Sequence, residues 1–278
     1  MIMELQDWRL NGNELEFEPN GILGRGSFGT VYTARWRGTP CAVKQFKNIS
    51  LLPIDDHDLA RKELTIMSTL HHPNVVHLFG YTEEPYGIVM EVMPMTLAQW
   101  MKQHHSTSAY YNCLLGIARG LAYLHNRQPQ SVIHRDIKPT NILVTLSGKP
   151  KLCDFGVSCL FERTPGMHTG DVGSRVYMAP EILQISCIYN DKSDIFSMGM
   201  LIYEMFEGHK PMLHPDLDRH HLSIVQGVRP TFCKTPKAIR TLVSRMWDSN
   251  QEKRPSSLEV IEELEDIISQ HRTFFTCF

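Results

Sequence analysis

Up to about position 94, apolar and polar residues alternate along the chain and aromatic and β-branched side chains are frequent. Successive side chains of a strand point to opposite faces, so the alternating stretches predict strands near 17–25, 29–37, 40–47, 75–81 and 86–91. One helix interrupts them. Leu59, Glu63, Ile66, Met67 and Leu70 fall on a single face at three- and four-residue spacing. Asp55, Asp56 and Asp58 suit its N-terminus, and His72-Pro73 ends it. Beyond 94 the spacing turns helical, over 96–104, 108–126, 192–207, 236–247 and 256–269, with loop-rich stretches at 131–181 and 208–220. The longest apolar run, Ile195 to Phe206, is broken by Ser197, Gly199 and Glu204. It falls short of the about 20 apolar residues that a bilayer span requires, and reads as a buried helix. A strand-rich front and a helix-rich back predict an α+β, two-lobed architecture whose cleft is the default ligand site. The expected division is an extension over 1–16, a small lobe over 17–92, a helical lobe over 93–270 and a tail over 271–278.

Composition narrows the function. Lys and Arg number 28 against 30 for Asp and Glu, a formal charge of -2. No basic stripe points to nucleic acid and no polybasic segment to an anionic membrane. Met1 to Leu10 carries Glu4, Asp7 and Arg9 and lacks the apolar stretch of a signal peptide. Cys41, Cys113, Cys153, Cys159, Cys187, Cys233 and Cys277 are odd in number and scattered, which predicts free thiols in a reducing, cytoplasmic setting. The doublets His71-His72, His104-His105 and His220-His221 raise the question of zinc, but none has a partner at ligand spacing.

The chemistry concentrates in His134-Arg135-Asp136-Ile137-Lys138-Pro139-Thr140-Asn141 and in Asp154-Phe155-Gly156. These two stretches supply a proton acceptor, cations and two hard oxygen ligands. That inventory suits phosphoryl transfer, which needs positioning and charge neutralisation more than covalent chemistry. Upstream, Gly24-Arg25-Gly26-Ser27-Phe28-Gly29-Thr30-Val31 lies between two predicted strands. A dinucleotide fingerprint needs a helix behind the glycines, so this loop is either a phosphate-covering hairpin or a plain glycine-rich turn. Lys44, in Cys41-Ala42-Val43-Lys44, ends the third strand and is either solvated or paired with Glu63.

In this order and spacing, and with Ala179-Pro180-Glu181 downstream, the motifs resemble those of the eukaryotic protein kinases. The resemblance runs from about Trp8 to Ile268. It implies ATP and Mg²⁺ as cofactors and a protein as acceptor. Asp136 would accept or orient the substrate hydroxyl, with Lys138 on the transferring phosphoryl oxygens. Lys44, paired with Glu63, would hold the α- and β-phosphates, and Asn141 and Asp154 would bind the metal. The nucleotide would be lined by Leu23, Gly24, Gly26, Ser27, Gly29, Val31, Ala42 and Leu143. Met90 would guard the back of the pocket, and the backbone of Glu91 and Met93 would pair with adenine. Met67, Leu78, His134, Phe155 and Asp194 match the family's packed column between lobes. Ser174 resembles the hydroxyl that bonds the catalytic Asp and Lys, and Glu181 is expected to pair with Arg254. Two departures stand out: Pro94-Met95-Thr96-Leu97 lacks the usual glycine, and Phe196 replaces a common Trp.

Asp136-Ile137-Lys138-Pro139 is the serine/threonine form, whereas Trp8, Arg35-Trp36-Arg37-Gly38 and Met246-Trp247 look tyrosine-kinase-like. The mixture resembles the tyrosine-kinase-like group, with its Raf-like and mixed-lineage members. The expected activity is serine/threonine phosphorylation in signalling, with dual specificity as an alternative. Arg135 before the catalytic Asp goes in the family with control by an upstream kinase, here at Thr169 or Thr164. Asp171 could supply part of that charge. Two rivals remain. A pseudokinase scaffold conflicts with the full set Lys44, Glu63, Asp136, Asn141 and Asp154, and a small-molecule kinase conflicts with Ala179-Pro180-Glu181. Cys153, next to Asp154, is either a thiol facing the nucleotide or an inert buried one.

Overall fold

The computed structural model describes residues 5–26, 29–46, 54–156, 158–160, 174–183 and 190–276, without the side chains of 54–59, 159–160, 174 and 272–276. Its front is an antiparallel sheet of β1 (Leu15–Arg25), β2 (Gly29–Trp36), β3 (Thr39–Phe46), β4 (Leu78–Glu83) and β5 (Tyr86–Glu91), in the order β1-β2-β3-β5-β4. The period of two sorts its side chains between two cores. Cys41, Val43 and Val89 join Ala34 and Leu15 on the outer face, covered by Leu10, Trp36 and Phe79. Ala42, Ile88 and Met90 point the other way, into the main core. Helix α1 (Ile54–Met67) connects β3 to β4, and its Leu64, Ile66 and Met67 enter that same core. Residues before the sheet are packed as well: Trp8 stacks on His71 at 6.2 Å, and the Leu10 N–H donates to Tyr81 O at 2.8 Å.

The back of the molecule is built on α2 (Leu97–Trp100), α3 (Thr107–His125), α4 (Pro180–Leu183), α5 (Lys192–Glu207), α6 (Leu217–Val225), α7 (Lys237–Met246) and α8 (Ser257–Thr276). Short strands carry the segments between them: β6 (Met95–Thr96), β7 (Val132–Ile133), β8 (Ile142–Val144), β9 (Pro150–Leu152) and β10 (Cys159–Leu160). They form the sheets β6-β8-β9 and β7-β10. As the apolar run predicts, α5 lies buried at the centre, and it ends at Gly208, whose left-handed φ of 81° makes the cap.

Five boundaries differ from the sequence reading. β1 starts at Leu15, not 17. The fourth strand starts at Leu78, not 75, because the preceding backbone bonds elsewhere: Val76 N–H donates to Leu152 O and Leu152 N–H to Asn74 O, both at 2.9 Å. The helix expected over 96–104 shrinks to one turn, closed by a capping box between Thr96 and Gln99. The stretch 208–220, read as loop, contains the start of α6, whose N-cap Asp216 accepts from the Arg219 N–H at 2.9 Å. Helix α8 also runs to Thr276, across position 270.

Candidate active site

The site lies where the β7–β8 and β9–β10 connections meet Lys44 of β3 and Glu63 of α1. The β7–β8 loop has little regular structure, and α5 holds it. Asp194, fully buried on that helix, accepts the backbone N–H groups of His134 and Arg135, each at 2.8 Å, and bonds His125 Nε2 at 3.0 Å. Burial disfavours the Asp194 charge, but the His125 bond and its neighbours outweigh it and hold the carboxyl below its ordinary range. This grip keeps Arg135 at φ 70°, a left-handed conformation uncommon for a side chain of its size. The next residue, Asp136, is thereby aimed. His134 Nδ1 accepts the Asp136 N–H at 3.3 Å, so Nε2 carries the proton, which goes to Cys153 O at 3.0 Å. One imidazole thus ties the catalytic loop to the residue before Asp154.

Around Asp136 the donors converge on one oxygen. Lys138 Nζ is 2.8 Å and Asn141 Nδ2 2.7 Å from Oδ2, and that amide also donates to Asp136 O at 3.0 Å. With its nitrogen committed to Asp136, Asn141 has its side-chain oxygen left as an acceptor. Asp154 sits at φ 65° and is bonded by Lys44 Nζ at 2.9 Å through Oδ1. Asp154 Oδ2 and the Asn141 carbonyl are hard oxygen donors of the kind Mg²⁺ takes, so the residues fit that ion. Lys44 is further bonded to both oxygens of buried Glu63 at 2.8 Å. Burial opposes the Lys44 charge, but Glu63 and Asp154 prevail and raise its pKa above the ordinary lysine value. Burial also raises Glu63 against the pull of Lys44, whereas Asp154 is held below the usual carboxylate range, Lys44 outweighing burial. The ammonium is charged, and it bridges β3, α1 and the β9–β10 turn.

The column of the sequence reading is contiguous at its base: Phe155, buried, lies 5.1 Å from the His134 ring, and Met67 and Leu78 share its core. Ala42 is buried in that core, with Val31 and Leu143 partly buried against it. Met90 is opposite Ala42 on β3 and Leu78 on β4. Leu23 is exposed, and Met93 is buried. The glycines divide into two kinds. A Cβ on Gly29 would stand 2.2 Å from Gln45 O, so the β2–β3 approach itself requires glycine there. A Cβ on Gly24 would meet nothing within 4 Å and one on Gly26 only Gly29 O at 3.9 Å, so the fold does not demand glycine at these two positions. Space kept open over the cleft is what a phosphate-covering loop needs. Ser27, Thr164, Thr169 and Asp171 lie outside the described residues, as does the Ser174 side chain.

Arg254 and Glu181 form the expected buried pair, at 2.6 and 2.8 Å. Phe196 takes the place of Trp, and the guanidiniums of Arg229 and Arg254 each lie over its ring at 5.0 Å from the centroid. Two contributors escaped the sequence reading. His125 supports Asp194, and Lys151 binds Glu91 Oε1 at 2.7 Å. The same Glu91 oxygen accepts the His77 N–H at 2.7 Å, so its side chain braces the end of β5 against β9. Neither has a local signature, because each is defined by a partner far away in sequence. Cys153 is buried, and burial pushes its thiol well above the ordinary cysteine value.

Residues 17–264 match the family model described as protein kinase domain. Serine/threonine-protein kinase VIK of Arabidopsis thaliana is 37% identical over 281 residues, covering 94% of this chain and 62% of that protein. Mitogen-activated protein kinase kinase kinase 7 of Homo sapiens is 33% identical over 275 residues, 94% of this chain and 44% of that protein. The dual specificity protein kinase shkA of Dictyostelium discoideum is 33% identical over 272 residues, 92% of this chain and 50% of that protein. The chain belongs to the eukaryotic protein kinase family. It is a protein kinase domain of the tyrosine-kinase-like type, spanning about half the length of these relatives. Protein kinases act on proteins, with ATP as phosphoryl donor and generally with Mg²⁺.

Proposed function

We propose that the whole protein is an active kinase that moves the γ-phosphoryl group of ATP to serine and threonine hydroxyls of protein substrates in a signalling role. The observation that carries this reading is Lys44 bonded at once to Glu63 and Asp154, with Phe155 seated under His134. A degenerate scaffold has no need of that arrangement. In this reading Lys44 holds the α- and β-phosphates, with Gly24, Gly26 and Ser27 over them and Val31, Ala42 and Leu143 against the purine. Glu91 and Met93 offer backbone groups to adenine beside Met90. Asp136 Oδ1 takes the proton of the acceptor hydroxyl, or directs it away from phosphorus, while Lys138 meets the transferring oxygens. Mg²⁺, held by Asn141 and Asp154, would neutralise phosphate charge. Catalysis is then positioning plus electrostatics, with no covalent enzyme intermediate.

The test is transfer of labelled phosphate from Mg-ATP to a protein or peptide array, with the sites mapped by mass spectrometry. Transfer to serine and threonine is expected. An intact protein that binds Mg-ATP but labels no protein overturns the reading. Labelled tyrosine beside serine would establish dual specificity, which the tyrosine-kinase-like Trp8 and Arg35-Trp36-Arg37-Gly38 favour. An upstream kinase acting on Thr169, or secondarily Thr164, belongs to the same reading, with Arg135 as the partner of the new phosphate. The described cysteines Cys41, Cys113, Cys153 and Cys233 are free thiols, which supports a cytoplasmic setting. Among the described residues no helix is long and apolar enough to cross a membrane.

A further inference from the structure

At the end of β5 the side chain of Glu91 does what its main chain would do in a regular ladder. The register of β4 with β5 pairs Leu78 with Met90, so the next pair outward is His77 with Glu91. Two such residues in an antiparallel pair ordinarily exchange both of their backbone bonds. Here the main chain makes only one of the two: the Glu91 N–H donates to His77 O at 3.0 Å. The His77 N–H goes instead to the Glu91 carboxylate, at 2.7 Å through Oε1. The side chain has taken over the acceptor role of its own carbonyl, and the Glu91 main-chain oxygen is spared that donor. Lys151 Nζ binds the same Oε1 at 2.7 Å, and the two side chains are only 17% and 23% exposed. Lys151 stands opposite Leu143 in the β8–β9 pair, so the anchor of the carboxylate shares a small sheet with a residue proposed to lie against the purine. In the function proposed above, on which this inference rests, the backbone of Glu91 pairs with adenine. We propose that the Glu91 carboxylate, anchored by Lys151, is a positioning group for purine selection: by occupying the His77 N–H it leaves the Glu91 carbonyl open to the exocyclic amino group of adenine.

The chemistry singles out that amino group. It is a donor and needs an acceptor, whereas guanine carries an oxo group at the same carbon and unsubstituted purine only hydrogen. Without the carboxylate, the His77 N–H returns to the partner a ladder supplies, the Glu91 oxygen. A carbonyl has two lone pairs, but one drawn into the ladder is aimed along the sheet at His77 and meets a second donor poorly. The test uses the full chain and measures phosphate transfer to casein from ATP and from purine riboside triphosphate, which lacks only the amino group. In the wild type the amino group should lower KM about tenfold, the contribution of one hydrogen bond. E91L/K151M replaces the ion pair by apolar side chains of similar size. It should raise KM for ATP about tenfold and KM for purine riboside triphosphate by about twofold or less, so that the preference for ATP disappears. E91Q keeps an oxygen for the His77 N–H and should hold the wild-type preference within about twofold. K151M leaves the carboxylate without its anchor and should reduce the preference about threefold, which carries the test if the double variant does not fold. An equal rise in KM for both donors in E91L/K151M would reduce the pair to a brace of the linker. A preference unchanged in E91L/K151M and K151M, or a wild type that does not distinguish the two donors, would also overturn the proposal while leaving the kinase reading intact. A wild-type chain that binds Mg-ATP but labels no protein instead removes that reading, and this inference with it.

Discussion

Replacing Asp194 by Asn isolates the support of the catalytic loop while preserving side-chain shape. The carboxylate offers Oδ2 to His134 N–H and His125, and Oδ1 to Arg135 N–H. An amide has one oxygen, so its better orientation keeps the first two bonds and turns an NH₂ toward the Arg135 N–H. One buried donor is left unsatisfied, at about 1–3 kcal/mol, and the two remaining bonds lose their charge, which roughly halves them. The sum is about 3–5 kcal/mol, or a Tm lower by roughly 10 °C for a chain of this size. The folded pKa of Asp194 lies below its unfolded value, so its contribution is fully present above the unfolded pKa, about 3.9, and is lost as the pH falls through the folded pKa. The deficit of the variant therefore stands at pH 7 and narrows in acid. Activity falls for a separate reason. Without the Oδ1 bond, Arg135 is free to leave φ 70°, and Asp136 moves with it. A displacement of about 1 Å costs roughly 10²-fold in kcat, while KM for ATP, set by Lys44 and Asp154, changes little. Differential scanning calorimetry and steady-state kinetics on one preparation decide the matter. A Tm within about 2 °C of wild type, or a kcat within about threefold, would refute this account of the loop.

Asp136→Asn should lower turnover by about 10²-fold or more while ATP binding, followed by calorimetry, survives; near-normal turnover would remove the orienting role. Asp154→Asn should in addition lose Mg-dependent nucleotide affinity, which the same titration with and without Mg²⁺ reads directly. Glu181→Gln leaves Arg254 buried and half-paired and should cost about 3–5 kcal/mol by urea denaturation, whereas a loss below about 1 kcal/mol would mean that the pair is structurally idle. With a thiol reagent at pH 8, exposed Cys233 should label first and buried Cys153 slowly, whatever the ATP concentration; strong protection of Cys153 by ATP would show that the cleft exposes it.

Much of the chemistry was legible in the sequence because phosphoryl transfer uses contiguous loops. Asp136, Lys138 and Asn141 come together through local backbone, so their spacing carries their geometry. Lys44, Glu63 and Asp154 come from three distant segments, and only the resemblance to a family joined them before the structure did. Hydrophobic pattern located the strands and the central helix but misplaced the onset of β4. Val75 and Val76 have strand-like side chains, yet the Val76 N–H bonds Leu152 O and the Val75 N–H bonds His72 O, so neither joins the sheet. Pattern also missed the start of α6. Its buried face is made by His220, His221 and Ile224, and two histidines read as polar although they lie in the interior.

The residues that break the apolar pattern of α5 explain how a loop-rich half can be rigid. A buried loop cannot satisfy its backbone groups from its own ladder, so other elements must supply the partners. Asp194, Ser197 and Glu207 of this helix do so, and Glu204 holds a side chain of one of the same segments. Asp194 takes the N–H groups of His134 and Arg135, Ser197 donates to Tyr177 O, and Glu204 accepts the Tyr177 hydroxyl. Glu207 accepts the Thr235 hydroxyl and the N–H groups of Lys234, Thr235 and Cys233, and these bonds overcome burial and hold its pKa at about 2. Ser197 and Glu204 are the same residues that, in the sequence, merely kept the run from spanning a bilayer. An all-apolar α5 would leave the β7–β8 loop, the turn Ser174–Tyr177 and the segment before α7 with unpaired backbone. The polarity of this helix is therefore where fold and function are coupled: each interruption costs burial of a polar group, and each is offset by a bond that holds a loop in place.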